Sequence, residues 1–339
     1  MSIANAGALK LVIATLGEDE SRRIAAMLAP MLPAKDHGVA GVTRAQMAAA
    51  MNMLLFAGLL DRVPSAADYV ADAIASGRRV CFDHGAIRTV ALIGKDTGAL
   101  PRGELAFRRI LEPLGYEDVA TYPLPALRMT GRAYRHRDFP ETIPQFFVSE
   151  LHADQFDAAF GAVADRVFGS SRDPLDAEAV AALDRFAMGQ TIPFEVASVV
   201  LPTLVAAFGR HHAPCTVEDY QALRSASAEA AWIATEGNAF NHATDRVADV
   251  VALAEELKAV GRPMKDKVEF SRNGRVRQTA FRADMVERDF VTDQGAVRQM
   301  MVPGSFYEFI SRDVDPATGT LDLSFDSGNA TGIFHMTKQ

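Results

Sequence analysis

Cysteine is scarce in this chain of 339 residues, with only Cys81 and Cys215, which stand far apart and in no CxxC pair. Such cysteines exclude a disulfide framework and a zinc site of paired thiolates, and they fit a reducing compartment. Long apolar runs are also missing, because the longest, 48–60 and 194–209, are shorter than the ~20 residues that span a bilayer. The N-terminal apolar run, 11–16, is too short for a signal peptide. We therefore expect a cytoplasmic protein without a membrane partner.

An excess of positive charge is absent as well. The chain carries 35 Lys and Arg against 43 Asp and Glu, a formal net charge of −8, which gives a nucleic acid no electrostatic attraction. The motifs GxSxG, GxxxxGK(S/T) and GxGxxG do not occur, so a serine nucleophile elbow, a P-loop and a Rossmann dinucleotide site have no support. We expect a small-molecule partner and no nucleic acid.

Hydropathy patterning divides the chain into four segments. Helical periodicity dominates residues 1–78, with many Ala, Met and Leu residues. A strand, a helix and a run of strands follow over 79–152, and a helical insertion covers 153–230. The order of strand, helix and several strands then returns over 231–339. We expect these segments to form one compact metal-binding domain.

Three finer expectations come from the same patterns. Residues 275–290 are predicted to form one strand, because they are rich in β-forming residues. Asp245 is predicted to cap the second helix of the repeat. The helical insertion is predicted to break at each of its prolines, Pro174, Pro193, Pro202 and Pro214.

The repeated order of elements predicts an α+β fold that contains a duplicated βαβββ module. Two such modules can curl into a half-open barrel with one central site, to which equivalent strands of each half contribute ligands. The helical segments 1–78 and 153–230 are then additions to the barrel. The repeat is visible in the pattern of elements and hardly in the letters.

Two of the eight histidines lie at equivalent places in the two modules. His84 and His242 each stand near the start of the strand that precedes the helix of its module. Alternate residues of a strand share a face, so His84 points the same way as Ala86 and Arg88. A single inward histidine is usually a satisfied core residue. Equivalent placement in both modules favours a shared role as metal ligands.

Glu308 is the candidate for a third ligand. It lies in the aromatic segment GSFYEFISRD, where an unpaired carboxylate is costly to bury. On an edge strand it would instead face solvent. If it faces inward it needs a cation, which a divalent metal supplies. Two histidines and one carboxylate, with the remaining positions open, form the facial arrangement that favours Fe(II) and oxygen chemistry.

Arg88 is the candidate for substrate binding. It follows His84 by four residues on the same face, which is ~13 Å along a strand. Its planar guanidinium suits a substrate carboxylate that is held away from the metal, and an ordinary salt bridge is the alternative role. Further candidates for the wall of the same pocket are Arg312, Gln145 and Ser149.

Four motifs, in this order, carry a family resemblance: FDHGAIRTV at 82–90, FPETIPQFFVSEL at 139–151, FNHATDRV at 240–247 and GSFYEFISRD at 304–313. Together they resemble the 2-oxoadipate dioxygenase/decarboxylase family, long catalogued as a domain of unknown function. That family is similar to the vicinal-oxygen-chelate superfamily and, within it, to hydroxymandelate synthase and hydroxyphenylpyruvate dioxygenase. The resemblance implies that His84, His242 and Glu308 bind the metal and that Arg88 holds the substrate. The chain is much shorter than the long bacterial members that act on 2-oxoadipate.

The resemblance also implies a function. It is that of an Fe(II)-dependent oxidoreductase of lysine catabolism, which converts 2-oxoadipate and O2 to 2-hydroxyglutarate and CO2. No external 2-oxoglutarate is required, because the oxo acid and the hydroxylated carbon belong to one molecule. Two alternatives stay open. One is a Zn(II) or Ni(II) lyase or isomerase of the glyoxalase type on the same fold, and the other is a non-catalytic binder of a metal or small molecule.

Overall fold

The computed structural model describes residues 6–32, 40–292 and 294–326. The ends of the first and last predicted segments, 1–5 and 327–339, therefore lie outside the described residues. The helices of the described part are α1 (Ala6–Leu16), α2 (Glu18–Met27), α3 (Arg44–Leu60), α4 (Pro64–Ala75), α5 (Leu105–Leu111), α6 (Ala158–Phe168), α7 (Ala177–Ala187), α8 (Phe194–Ala206), α9 (Val217–Ala226), α10 (Ala228–Glu236) and α11 (Val250–Ala259). The strands are β1 (Phe82–Ala91), β2 (Tyr116–Leu124), β3 (Met129–His136), β4 (Gln145–His152), β5 (Phe240–Arg246), β6 (Glu269–Phe270), β7 (Val276–Ala280), β8 (Met285–Val291), β9 (Val297–Pro303) and β10 (Phe306–Arg312).

Eight of these strands form one mixed sheet in the order β2-β3-β4-β1-β5-β10-β7-β6. The two halves of the sheet have the same strand arrangement, read outward from its centre, where β1 and β5 pair antiparallel. On either side of this centre the next strand is parallel, since β4 pairs with β1 and β10 pairs with β5 in parallel. The outer strands of each half follow in antiparallel order.

Each half of the sheet is one βαβββ module. The first consists of β1, α5, β2, β3 and β4, and the second of β5, α11, β6, β7 and β10. This topology confirms the predicted α+β fold, a duplicated module with helical segments added before it and between its halves. The four segment boundaries stay predictions.

One face of the sheet packs against the hydrophobic core, and the other face lines a cavity. Phe146 and Val148 of β4 and Tyr307 and Phe309 of β10 belong to the main hydrophobic core, together with buried residues of α3 and α8. Because side chains alternate along a strand, the residues between them face the other way. Glu308 is therefore directed to the face that lines a cavity. In β10, Tyr307 and Phe309 on the core face thus flank Glu308 on the face that carries the site.

The predicted helix break at Pro202 is wrong. Pro202 lies inside α8, which continues to Ala206. A proline inside a helix removes one backbone hydrogen bond and crowds the preceding turn. Here the flanking Val200, Leu201 and Leu204 are buried in the main core, and this burial holds the helix together across the proline.

The predicted cap of the second repeat helix is also wrong. Asp249 caps α11, and its side chain accepts from the backbone N–H groups of Val251 and Ala252. Asp245 is instead buried within β5. There it accepts hydrogen bonds from the Tyr69 hydroxyl at 2.8 Å and from the Cys81 backbone N–H at 2.9 Å.

Residues 275–290 form two strands and not the single predicted one. The first, β7, belongs to the main sheet, whereas the second, β8, pairs with β9 in a separate two-stranded sheet. The chain turns between them, where the backbone N–H groups of Phe281 and Arg282 donate to Tyr307 and Pro263. This hairpin is an insertion between two strands of the second module, and its second strand was not predicted.

Within the described ranges, no single helix is long and apolar enough to cross a bilayer. α3 and α4 reach that length only together, and they meet at a bend of 113°. Most residues of α3 are buried in the core.

Candidate metal centre

The centre of the sheet brings His84 and His242 together. In the antiparallel pairing of β1 and β5, His84 lies opposite Thr244 and His242 lies opposite Ala86. The two histidines are thus related by the approximate two-fold symmetry of the module pair. Their ring centroids are 5.5 Å apart, with ring planes at 84°. Beside His84, the ring of Phe240 from β5 packs directly over Gly85, because a Cβ atom on Gly85 would lie 2.4 Å from that ring.

Glu308 completes the group from the neighbouring strand. On β10 it pairs with Thr244, which lies two residues after His242 on β5 and therefore on the same face of the sheet. One ligand atom from each of His84, His242 and Glu308 lies within 4.8 Å of the other two. All three side chains are buried, with 2%, 4% and 1% exposure respectively. The structure therefore brings together the three residues that the sequence predicted as metal ligands.

The carboxylate of Glu308 is buried without the hydrogen bonds that a buried carboxylate needs. Oε2 lies 3.0 Å from Nε2 of His242, yet neither carboxylate oxygen has a hydrogen-bond partner among the described residues. Burial alone would raise the pKa of Glu308, but the positive charge that His242 and His84 carry when protonated holds it below its usual range. Burial lowers the pKa of His242. An ionised carboxylate beside a neutral imidazole is the protonation state in which both bind a metal.

The ring of His84 is oriented by a buried ion pair. Its Nδ1 lies 2.8 Å from Oδ1 of Asp83, and Asp83 in turn accepts three hydrogen bonds from Arg312. Burial alone would raise the pKa of Asp83, but Arg312 and His84 hold it far below its usual range. A carboxylate that accepts from Nδ1–H leaves the Nε2 lone pair for a metal. In this structure Nε2 of His84 lies 3.1 Å from the Thr244 hydroxyl.

The ring of His242 has an amide partner at the equivalent position. The side-chain nitrogen of Asn241 lies 3.1 Å from Nδ1 of His242, and the amide oxygen has no hydrogen-bond partner among the described residues. With the amide turned over, Oδ1 of Asn241 accepts from Nδ1–H and gains the partner it lacks. That arrangement presents the Nε2 lone pair of His242 towards Glu308 and His84.

A cavity adjoins the three candidate ligands. Its empty space, including the open solvent at its mouth, amounts to about 470 Å³. It is lined by His84, Ala86, Ile87, Arg88, Phe147, Ser149, Asn241, His242, Gln278, Glu308, Phe325 and Asp326.

Arg88 supplies a buried positive charge to this cavity. Its side chain is 1% exposed, and its guanidinium carbon lies 5.0 Å from the centroid of the Trp232 ring. Burial lowers the pKa of Arg88 to about 10, and Glu229 opposes the shift. The group is therefore cationic at neutral pH, and the residues that line the cavity include this arginine as well as the histidine and glutamate donors.

Of the other three predicted pocket residues, one lines the cavity and two do not. Ser149 lines the cavity and pairs with Arg88 across β1 and β4. Gln145 pairs with His84, but it does not line the cavity, and its Nε2 donates to the backbone oxygen of Leu323 at 3.3 Å. Arg312 is also away from the cavity wall, since all three of its guanidinium nitrogens donate to other groups of the protein.

Sequence reasoning missed several residues of the site. Asp83 and Asn241 directly precede the two histidines, so aligning the two repeats on His84 and His242 would have found them. The equivalence of Phe147 and Glu308 follows from strand pairing and not from that alignment, because the two modules differ in length between the histidine and this position. Gln278 and Phe325 carry no signal of this kind, because their approach to the site depends on how distant parts of the chain pack.

The residues present fit a divalent metal ion of the first transition row. Two imidazole nitrogens and one carboxylate oxygen are a donor set that such metals accept, and their atoms are close enough to reach one ion. A metal would also satisfy the carboxylate oxygens of Glu308, which lack hydrogen-bond partners among the described residues. Both histidines have Nδ1 partners of the kind that orient metal ligands.

A protein family model covers most of this chain. The family model for 2-oxoadipate dioxygenase/decarboxylase matches residues 52–319 of the chain, a range that contains all the predicted site residues. No curated protein sequence matches the chain.

Solved structures share the fold. A provisionally assigned glyoxalase superfamily protein from Ralstonia eutropha JMP134 is 50% identical, with a TM-score of 0.89, over 94% of this chain and 98% of that chain. Hydroxyglutarate synthase from Oryza sativa, solved in complex with 2-oxoadipate, is 18% identical, with a TM-score of 0.66, over 90% of this chain and 97% of that chain. The corresponding complex from Pseudomonas putida is 19% identical, with a TM-score of 0.62, over 89% of this chain and 75% of that chain.

Proposed function

The chain belongs to the 2-oxoadipate dioxygenase/decarboxylase family, and on that premise we propose that it is an Fe(II)-dependent dioxygenase that decarboxylates a 2-oxo acid. The expected reaction converts 2-oxoadipate and O2 to 2-hydroxyglutarate and CO2. Two similar folds have been solved with 2-oxoadipate bound, which supports this choice of substrate.

The observation that carries the proposal is the set of three buried donors. His84, His242 and Glu308 come from three strands and present one ligand atom each within 4.8 Å of one another. A buried carboxylate without hydrogen bonds is costly unless a cation compensates it. When bound there, Fe(II) would supply activation of O2 and polarisation of the 2-oxo group. Three protein donors leave positions for other ligands.

The residues of the cavity wall provide binding, orientation and exclusion of water. Arg88 is suited to hold the carboxylate at the far end of a diacid, because its planar guanidinium makes two parallel hydrogen bonds to such a group. His84 and Arg88 lie on the same strand, four residues apart, so a chain of several carbons fits between the donors and the guanidinium. Phe147 and Phe325 give the wall apolar surface, which keeps water from the reacting end.

The proposal is tested by anaerobic reconstitution with Fe(II), followed by admission of oxygen. We expect oxygen consumption that depends on substrate, and a larger rate with 2-oxoadipate than with 2-oxoglutarate or aromatic 2-oxo acids. Glu308→Gln should abolish oxygen consumption, whereas Glu287→Gln, on the exposed face of β8, should leave it unchanged. Absence of oxygen consumption by wild-type protein that holds one Fe(II) per chain would contradict the proposal.

The same experiment separates the two alternative functions. A glyoxalase-type lyase or isomerase would convert its substrate without oxygen, in the Zn(II)- or Ni(II)-loaded form. A non-catalytic binder would bind 2-oxo acids without converting any of them. Product analysis with and without oxygen therefore distinguishes the three possibilities on one protein preparation.

A further inference from the structure

A short segment near the end of the described chain lies against the candidate metal centre. We call residues 321–326 the strap. Its Phe325 and Asp326 line the cavity. The ring of Phe325 stands edge-on to the ring of His84, with centroids 4.9 Å apart, and lies 5.1 Å from the ring of Phe147. The strap therefore forms part of the wall around the metal ligands.

Arg312 connects this strap to the metal centre. Its Nε and Nη2 donate to the carboxylate of Asp83 at distances of 2.9 to 3.1 Å. Its Nη1 donates to the backbone oxygens of Asp322 at 2.9 Å and Ser324 at 2.8 Å. The side chain is fully buried, with 0% exposure. One guanidinium thus holds the partner of a metal ligand and two carbonyl groups of the strap at the same time.

Asp83 links Arg312 to the ring of His84. Asp83 orients the ring of His84. A displacement of Arg312 would therefore change the position of both that ring and the strap. We propose that Arg312 is a positioning residue that couples metal binding at His84 to docking of the strap. This proposal rests on the proposed metal site and goes beyond it, since it assigns to Arg312 a role other than contact with the substrate.

The coupling is reciprocal by thermodynamic linkage. A metal that fixes the ring of His84 strengthens the contact with Asp83 and hence the anchoring of the strap. The strap has other anchors that do not touch His84, notably the ion pair of Arg275 with Asp322 at 2.8 Å and the bond from the Phe325 N–H to the Tyr122 hydroxyl at 3.2 Å. Loss of Arg312 should therefore loosen the strap without releasing it completely.

The test combines calorimetric titration with Zn(II) or Co(II) and hydrogen exchange of the strap amides. In the wild-type protein, we expect metal binding to slow exchange of the strap. In Arg312→Gln, we expect the metal dissociation constant to rise by about 10- to 100-fold, as for other residues that orient metal ligands. Exchange of the strap should be faster without metal, and the slowing by metal should be lost.

The matched control is Arg277→Gln. Arg277 makes a two-pronged ion pair with Asp313 at 2.6 and 2.7 Å, next to the same end of β10 but without contact to Asp83 or the strap. This variant should behave as the wild type in both measurements. A change of equal size in Arg277→Gln and Arg312→Gln would mean that the effect belongs to the sheet in general, and it would overturn the proposal.

A second variant covers the possibility that Arg312→Gln does not fold, because the buried carboxylate of Asp83 then loses its three hydrogen bonds from Arg312 and has Arg246 only at 3.8 Å. The double variant Asp83→Asn/Arg312→Gln removes both charges and should also show weakened metal binding and no metal-dependent slowing. Wild-type values for both properties, in either variant, would overturn the role of Arg312 alone. If the wild-type protein bound neither metal, the proposed metal site would fail and the coupling with it, so the two failures are distinguishable.

Discussion

Phe147 occupies, in the first half of the sheet, the position that Glu308 occupies in the second half. In the parallel pairing of β1 and β4, Phe147 lies opposite Ala86, two residues after the partner of His84. In the parallel pairing of β5 and β10, Glu308 lies opposite Thr244, two residues after the partner of His242. Both side chains line the cavity.

This relationship explains the number of donors in the centre. Two identical modules would offer two histidines and two carboxylates, which together surround a metal more completely. Here a phenylalanine stands in place of one carboxylate, so that three donors remain and part of the coordination sphere of a bound metal would stay open to other ligands. The asymmetry between the halves therefore suits an enzyme that binds its substrate through the metal.

Restoring the symmetry should trap the metal and stop the reaction. We expect Phe147→Glu to bind Zn(II) or Co(II) at least as tightly as the wild type, because it adds a fourth donor, and to lose oxygen consumption completely. Phe147→Leu is the control, which keeps an apolar wall and should retain substantial activity. Calorimetric titration and an oxygen electrode measure the two effects. Weaker metal binding by Phe147→Glu than by Phe147→Leu would contradict the deduced equivalence.

Loss of the guanidinium of Arg88 should raise KM for diacid substrates much more than KM for monoacid substrates. A charge-assisted pair with a substrate carboxylate contributes about 1.5–3 kcal/mol, so Arg88→Ala should raise KM for 2-oxoadipate by about 10- to 100-fold. KM for 2-oxohexanoate, which lacks the far carboxylate, should change little. Arg128→Ala, at an exposed site over the ring of Phe156, serves as the control in steady-state kinetics. Equal effects of Arg88→Ala on both substrates would exclude the proposed role.

A methyl group at Gly85 should displace the ring of Phe240 and disturb the two strands that carry the histidines. Its Cβ would lie 2.4 Å from the ring of Phe240, and overpacking of this kind costs about 1–3 kcal/mol. We expect Gly85→Ala to lower the free energy of unfolding by that amount and to weaken metal binding. In urea denaturation, Gly58→Ala is the matched control, because nothing lies within 4 Å of its added Cβ in α3. Unchanged stability of Gly85→Ala would show that the strands adjust freely.

Asp245 should give stability an unusual dependence on pH. Burial raises its pKa to about 6 from the ordinary 3.8, although bonds from Tyr69 and Cys81 oppose the shift. Between these values the unfolded carboxyl is ionised while the folded one keeps its proton, so this group makes the free energy of unfolding fall as pH rises. Two units of pKa correspond to about 3 kcal/mol.

The variant Asp245→Asn removes this contribution and preserves both contacts, since its oxygen accepts from Cys81 and its amide donates to the Tyr69 oxygen. We expect the stability of the variant, relative to the wild type, to increase by up to about 3 kcal/mol from about pH 4 to pH 7. Urea denaturation at a series of pH values measures the difference. Parallel pH profiles of the two proteins would show that Asp245 titrates normally.

Local alternation in the sequence was sufficient to locate the three donors. His84 and His242 occupy equivalent places in a repeated order of elements, and Glu308 lies among aromatic residues. These local patterns selected the three residues that the structure brings together. The register that sets their distances was not predictable, because it depends on how β1, β5 and β10 pair across more than a hundred residues of chain.

Other features required knowledge of tertiary packing. Pro202 has the local signature of a helix break, but burial of its neighbours overrides it. Asp245 has the signature of a helix cap, but Tyr69 and the backbone of Cys81 hold it in a strand. Arg312 was a reasonable candidate for a substrate ligand by face, and only the structure shows that Asp83 and the strap use its nitrogens.

The most direct test of the central claim uses oxygen-18 gas with the Fe(II)-loaded protein and 2-oxoadipate. If His84, His242 and Glu308 hold one Fe(II) at which the oxo acid and O2 react, one molecule of O2 is consumed for each CO2 released. The 2-hydroxyglutarate formed should then carry oxygen-18 in both its new carboxylate and its hydroxyl group. Conversion of 2-oxoadipate to an unlabelled product, or no conversion by protein with one Fe(II) per chain, would contradict the account.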